Sequence, residues 1–97
     1  MLRTAIKELC RKLLEKNCSG DIEYISIEEN ERLSVCGIDS FAYVMVYAEI
    51  SSLFDISNDK FEENLPKGDV VFGDLLNFIE TNKTKEPSEE EIQDACN

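Results

Sequence analysis

Residues 36–50 read CGIDSFAYVMVYAEI. Gly37 closes one segment, Asp39 and Ser40 open another, and from Phe41 onward the chain is almost wholly apolar. The β-branched and aromatic run YVMVY would suit a strand, but AEISSLFDI continues it with apolar residues three and four apart, which is helical spacing. The pattern predicts a helix over 39–56. Asp39 is its N-cap, where a carboxylate accepts from the first backbone N–H groups and faces the positive end of the helix dipole. Val44, Tyr47, Ile50 and Phe54 form one apolar stripe, joined by Phe41, Val46 and Leu53.

Upstream, LRTAIKELCRKLLEKN places Leu2, Ile6, Leu9, Cys10, Leu13 and Leu14 on one face of an amphipathic helix, ended near NCSG, where Gly20 supplies the left-handed stop. In the connection that follows, Ile25 and Ile27 alternate with polar residues, but no second strand is at hand to pair with them. An extended loop is expected, with Ile25, Ile27 and Leu33 tucked into a helical core. Downstream, a short turn of helix over 59–63 is stopped at Leu65-Pro66. Asp69 then caps a last helix, VVFGDLLNFIE, with Val71, Phe72, Leu75, Leu76 and Ile79 inward. The expected fold is all-α: a small four-helix bundle of three main helices and one short one, with a long loop between the first two. Residues 1–81 form the domain, and the polar, acidic stretch 82–97 reads as a disordered tail.

Composition narrows the function. With 42% apolar and 32% charged residues over 97 positions, the chain has room for one domain with a modest core. No apolar run reaches the roughly 18 residues a membrane span requires, and the charged N-terminal segment is no secretory signal. A cytoplasmic monomer is expected. The net charge of −11 is uneven: residues 3–16 carry +3, while 17–80 set three cations against fourteen acids. Such a body repels nucleic acid and anionic membrane and attracts basic docking surfaces.

There is no histidine, so Ser40 lacks the usual base of a serine nucleophile. The four cysteines, at 10, 18, 36 and 96, show no paired C-x-x-C spacing and make a poor zinc set. Cys10 reads as a small core residue and Cys96 as an exposed free thiol. Two acidic stretches resemble calcium loops but fail at the decisive positions. From Asp55, Lys60 replaces the turn glycine and Pro66 the bidentate glutamate; from Asn17, Ile22 replaces the glycine. With no glycine-rich phosphate loop either, the chain is read as non-catalytic.

CGIDSF at 36–41, SLFDI at 52–56 and FGDLLNFI at 72–79 together resemble the acyl carrier protein family, including its peptidyl and amino-acyl carriers. The likeness covers roughly residues 4–81 and is carried by Gly37, Asp39, Ser40 and Phe41 at the head of the second helix. It implies that Ser40 is esterified with 4′-phosphopantetheine, taken from coenzyme A by a phosphopantetheinyl transferase. The thiol of that arm would hold an acyl, aminoacyl or peptidyl group for loading and downstream acyl-processing enzymes. A phosphate ester is well placed near the unpaired N–H groups of a helix start, and Gly37 lets another protein approach the backbone closely. A serine without a histidine suffices when another enzyme supplies the catalysis.

Fatty-acid carriers typically bear acidic residues along the exposed face of this helix. The matching positions here are Ala42, Met45, Ser51 and Ser52, and only Glu49 and Asp55 are charged between Ser40 and Ile56. Cys36 stands where the family often has leucine. Partner docking is therefore assigned to a neutral face including Ala42, Met45 and Ser52, in a stand-alone carrier of a specialised pathway. The alternative is a helical protein-interaction module without a prosthetic group, in which Asp39-Ser40 is an ordinary helix cap.

Overall fold

The computed structural model describes residues 1–17, 27–36, 40–65 and 70–96. Its helices are α1 (Arg3–Asn17), α2 (Ser40–Phe54), α3 (Asn58–Asn64), α4 (Phe72–Asn82) and α5 (Glu89–Cys96), with a short 3₁₀ turn at Leu33–Cys36 before α2. The fold is all-α. Among the described residues strand pairing is limited to one isolated bridge, Arg32 to Val71, and no helix is long and apolar enough to cross a membrane.

α1 follows its sequence pattern. Ile6, Leu9, Cys10, Leu13 and Leu14 are buried on one face, and burial pushes the Cys10 thiol up to about 12, so it serves as a small apolar filler. Leu2 departs from the pattern: it precedes the first turn and is exposed.

The connection to α2 is pinned in the way expected of a loop. Ile27 and Leu33 are fully buried, whereas Ile25 and Gly20 lie outside the described residues. Backbone groups hold the loop against the start of α4: Leu33 N–H donates to Val70 O at 2.8 Å, Phe72 N–H to Glu31 O at 2.8 Å and Gly73 N–H to Glu29 O at 2.8 Å. These loop carbonyls satisfy the first N–H groups of α4. The helix accordingly begins at Phe72 with Val71 as its N-cap and no side-chain cap, later than the Asp69 start expected from the sequence. Asp69 itself lies outside the described residues. Val71 is half-buried, while Phe78 is buried beside Phe72, Leu75, Leu76 and Ile79. Gly73 is required by this approach, since a Cβ there would lie 2.8 Å from Glu29 O.

Arg3 ties the same elements from the side. Its guanidinium donates to Glu29 Oε1 through Nε at 2.9 Å, and through Nη1 to Asn77 Oδ1 at 2.9 Å and Glu80 Oε1 at 2.8 Å. The bond to Arg3 holds the Glu29 carboxyl below the usual carboxylate range.

The largest departure is at the C-terminus. The stretch 82–97, expected to be a disordered tail, contains α5, whose Ile92, Ala95 and Cys96 pack against the core. Cys96 is therefore half-buried and not an exposed thiol. Lys16 Nζ donates to Ala95 O and to Glu49 Oε1, each at 2.7 Å, joining α5 to α1 and α2. A capping box starts the helix: Glu91 N–H donates to Ser88 Oγ at 3.2 Å and Ser88 N–H to Glu91 Oε1 at 3.1 Å. The described residues thus carry five helices where four were expected.

Candidate functional site

Ser40 is the first residue of α2. Gly37, Asp39 and the side chain of Ser40 lie outside the described residues. Described residues flank this segment on either side. Seven residues upstream Leu33 is buried, and Ala42, Val46, Ile50, Leu53 and Phe54 turn the inner face of α2 to the core.

The outer face is the surprise. The expected stripe included Phe41 and Val44, yet Phe41 is 73% and Val44 63% exposed. α2 is apolar around most of its circumference, so spacing alone does not choose which side turns inward. Packing chooses the side on which Ala42 and Val46 align with Ile50 and Phe54. Ala42, assigned above to docking, is consequently buried at 4% exposure and presents nothing to a partner. Met45 and Ser52 are exposed as expected, and Ala48 lies exposed between them. Phe41, Val44 and Met45 cluster on the first turns of α2, with Ser52 about 10 Å further along the helix.

Charge is nearly absent from this face. Glu49 is directed toward α1, where Lys16 Nζ reaches Oε1 at 2.7 Å and Asn17 Nδ2 reaches Oε2 at 3.5 Å. Beyond it, Lys16, Glu49, Ser52 and Leu53 face Glu91, Asp94 and Ala95 of α5 across a shallow groove of about 330 Å³. Ser52 is therefore close to α5, whereas Phe41 and Val44 are next to Ser40 in the chain.

On a third side, α2 meets α3 and α4 through aromatic rings. Tyr43 and Tyr47 have centroids 6.0 Å apart, Tyr47 and Phe61 5.4 Å, and Phe61 and Phe78 4.7 Å. The exposed face at Phe41 and Val44 is not visible in the sequence, where helical spacing assigns both to the core stripe. Among the described residues, no three His, Cys, Asp or Glu side chains come together as metal ligands would.

Comparison with protein-family models, with curated proteins and with solved structures finds no match to the chain.

Proposed function

We infer that the chain is a carrier protein of the acyl carrier type, bearing 4′-phosphopantetheine on Ser40. The observation that carries the reading is the head of α2. A serine opens a 15-residue helix, and the residues one and four positions later, Phe41 and Val44, stand out in water with Met45 beside them. An apolar cluster left uncovered on a small domain marks a surface another protein uses. Here it adjoins the residue that the GIDSF likeness assigns to modification.

The helix start fits the group. A phosphodiester at Ser40 would lie at the N-terminal end of α2, the positive end of the helix dipole. The open first turns leave room for a transferase. In the modification, the Ser40 hydroxyl oxygen attacks the pyrophosphate of coenzyme A; a phosphodiester forms, the nucleotide half leaves, and the serine proton passes to the transferase's base. The arm supplies a thiol that holds cargo as a thioester. The chain itself contributes attachment, a docking face at Phe41, Val44, Met45 and Ser52, and a raised local concentration of cargo at each enzyme. The helical-bundle likeness to carrier proteins belongs to this reading, with α5 as an addition to it.

The test is intact mass before and after incubation with coenzyme A and a broad-specificity phosphopantetheinyl transferase, beside Ser40→Ala. A gain of one phosphopantetheine in the unsubstituted chain alone is the expected result. A folded chain that stays unmodified with several transferases overturns the reading and leaves the interaction-module alternative, in which the same apolar cluster binds a partner directly.

A further inference from the structure

The class of cargo follows from how the side of α2 nearest Ser40 is filled, an inference that rests on the carrier reading above. An apolar chain on a flexible arm avoids water either by entering the carrier or by remaining short. On α2, Tyr43 lies three residues after Ser40, one turn along the same side. From Tyr43 a continuous row of rings runs inward: to Tyr47 at 6.0 Å, across to Phe61 of α3 at 5.4 Å, and on to Phe78 of α4 at 4.7 Å. Each spacing is that of aromatic rings in contact. Phe78, at the inner end, is buried at 5% exposure, and Tyr43, Tyr47 and Phe61 all pack against the core.

The seam among α2, α3 and α4 is therefore occupied by side chains from the turn after Ser40 to the core. An alkyl chain entering there must part three ring contacts and displace Phe61, which joins α3 to both neighbours. On the open side Phe41, Val44 and Met45 are exposed on the outer surface of α2, and no described residue covers them. We propose that this carrier holds a short acyl or aminoacyl group outside the bundle, and that it does not shelter a long alkyl chain in the seam among α2, α3 and α4.

The experiment loads Ser40 through the transferase with acetyl-, octanoyl- and tetradecanoyl-coenzyme A. Thioester cleavage by hydroxylamine is then followed, each rate being divided by that of the same acyl group on free pantetheine. A sheltered chain would gain roughly fourfold protection for each methylene it buries. The expected result is normalised rates agreeing within about threefold across the three groups, with unchanged ring resonances of Tyr43, Tyr47, Phe61 and Phe78. Protection growing beyond that with chain length, together with shifted ring resonances, overturns the proposal while leaving the carrier reading intact. Absence of any mass gain at Ser40 overturns both.

Phe61→Ala gives a second arm. Opening the row should slow octanoyl cleavage relative to acetyl in the variant only; equal rates in a folded variant would show that the rings are not what excludes the chain. If Phe61→Ala does not fold, Phe61→Leu, which removes the ring and keeps an apolar side chain, is read the same way.

Discussion

The two ends of α2 are made of similar residues and are treated in opposite ways. At the C-terminal end Phe54 is fully buried, and Asp55 turns the chain with a left-handed φ of 50°. Ile56 N–H then donates back to Ser51 O at 3.1 Å, which closes the helix in a Schellman-type stop. The segment after α4 crosses this end: Thr84 N–H donates to Phe54 O at 3.0 Å, Lys85 N–H to Phe54 O at 3.3 Å, and Thr84 Oγ1 to Asp55 O at 2.5 Å. α5 then lies alongside Glu49, Ser52 and Leu53. At the N-terminal end Phe41, Val44 and Met45 face water. The exposed end does not lack apolar residues; among the described residues it lacks a covering element. The residues after α4 satisfy carbonyls and bury side chains at one end only, and the open end is the one that begins with Ser40.

Substitutions at the two ends should therefore separate widely. Phe54→Ala should cost about 3–5 kcal/mol of stability in urea unfolding, as removal of a fully buried ring does. A loss below that range would mean that the covered end is looser than its packing implies. Thr84→Val keeps the shape and removes the hydroxyl bond to Asp55 O, and should lower stability by about 1 kcal/mol. Asp55→Gly should raise it by about 0.5–1 kcal/mol, because glycine adopts the left-handed conformation without the clash a Cβ brings. If Asp55→Gly destabilises instead, the stop at this end does not have the geometry described.

Smaller effects come from the charges that hold α5. The Glu91 carboxyl lies below its usual range because Lys85 Nζ donates to it at 2.9 Å and Ser88 N–H donates as well. Glu86 is lowered chiefly by its bond to Lys83. A carboxyl lowered on folding stabilises fully above its unfolded pKa, and that contribution is lost as pH falls through the folded value. Amide shifts of residues 89–96 should thus move toward coil below about pH 4 while those of α1 hold. Both pairs are exposed, so the change should be modest. At the open end, Phe41→Ser should leave stability within about 0.5 kcal/mol of the parent. A much larger loss would show that Phe41 is covered in solution and would remove the contrast between the two ends.

How much of this could be read from sequence varies along the chain. α1 was legible because Ile6, Leu9, Cys10, Leu13 and Leu14 alternate cleanly with charges. α2 was legible as a helix but not in its rotation, since apolar residues surround it and only tertiary packing selects Ala42 over Val44 as an inward position. α5 is masked in the sequence by the composition of 82–97, which resembles a solvated tail, yet its signals are present. Ser88 and Glu91 have capping-box spacing, Pro87 is buried at the position before the cap, and Ile92 and Ala95 supply an apolar edge. The loop carbonyls that cap α4 could not have been found this way, because Gly73 meets Glu29 only through the fold. Of the candidate site, the place of Ser40 at a helix head was readable, as was the exposure of Met45 and Ser52.

The most direct measurement is tandem mass spectrometry of the tryptic peptide 33–60, taken from the protein purified out of its own cells. Trypsin cuts after Arg32 and Lys60 and nowhere between, so Ser40 lies in a single fragment. The expected result is phosphopantetheine on Ser40, released as its characteristic fragment. The contradicting result is Ser40 unmodified throughout, while an established carrier protein from the same lysate bears the group.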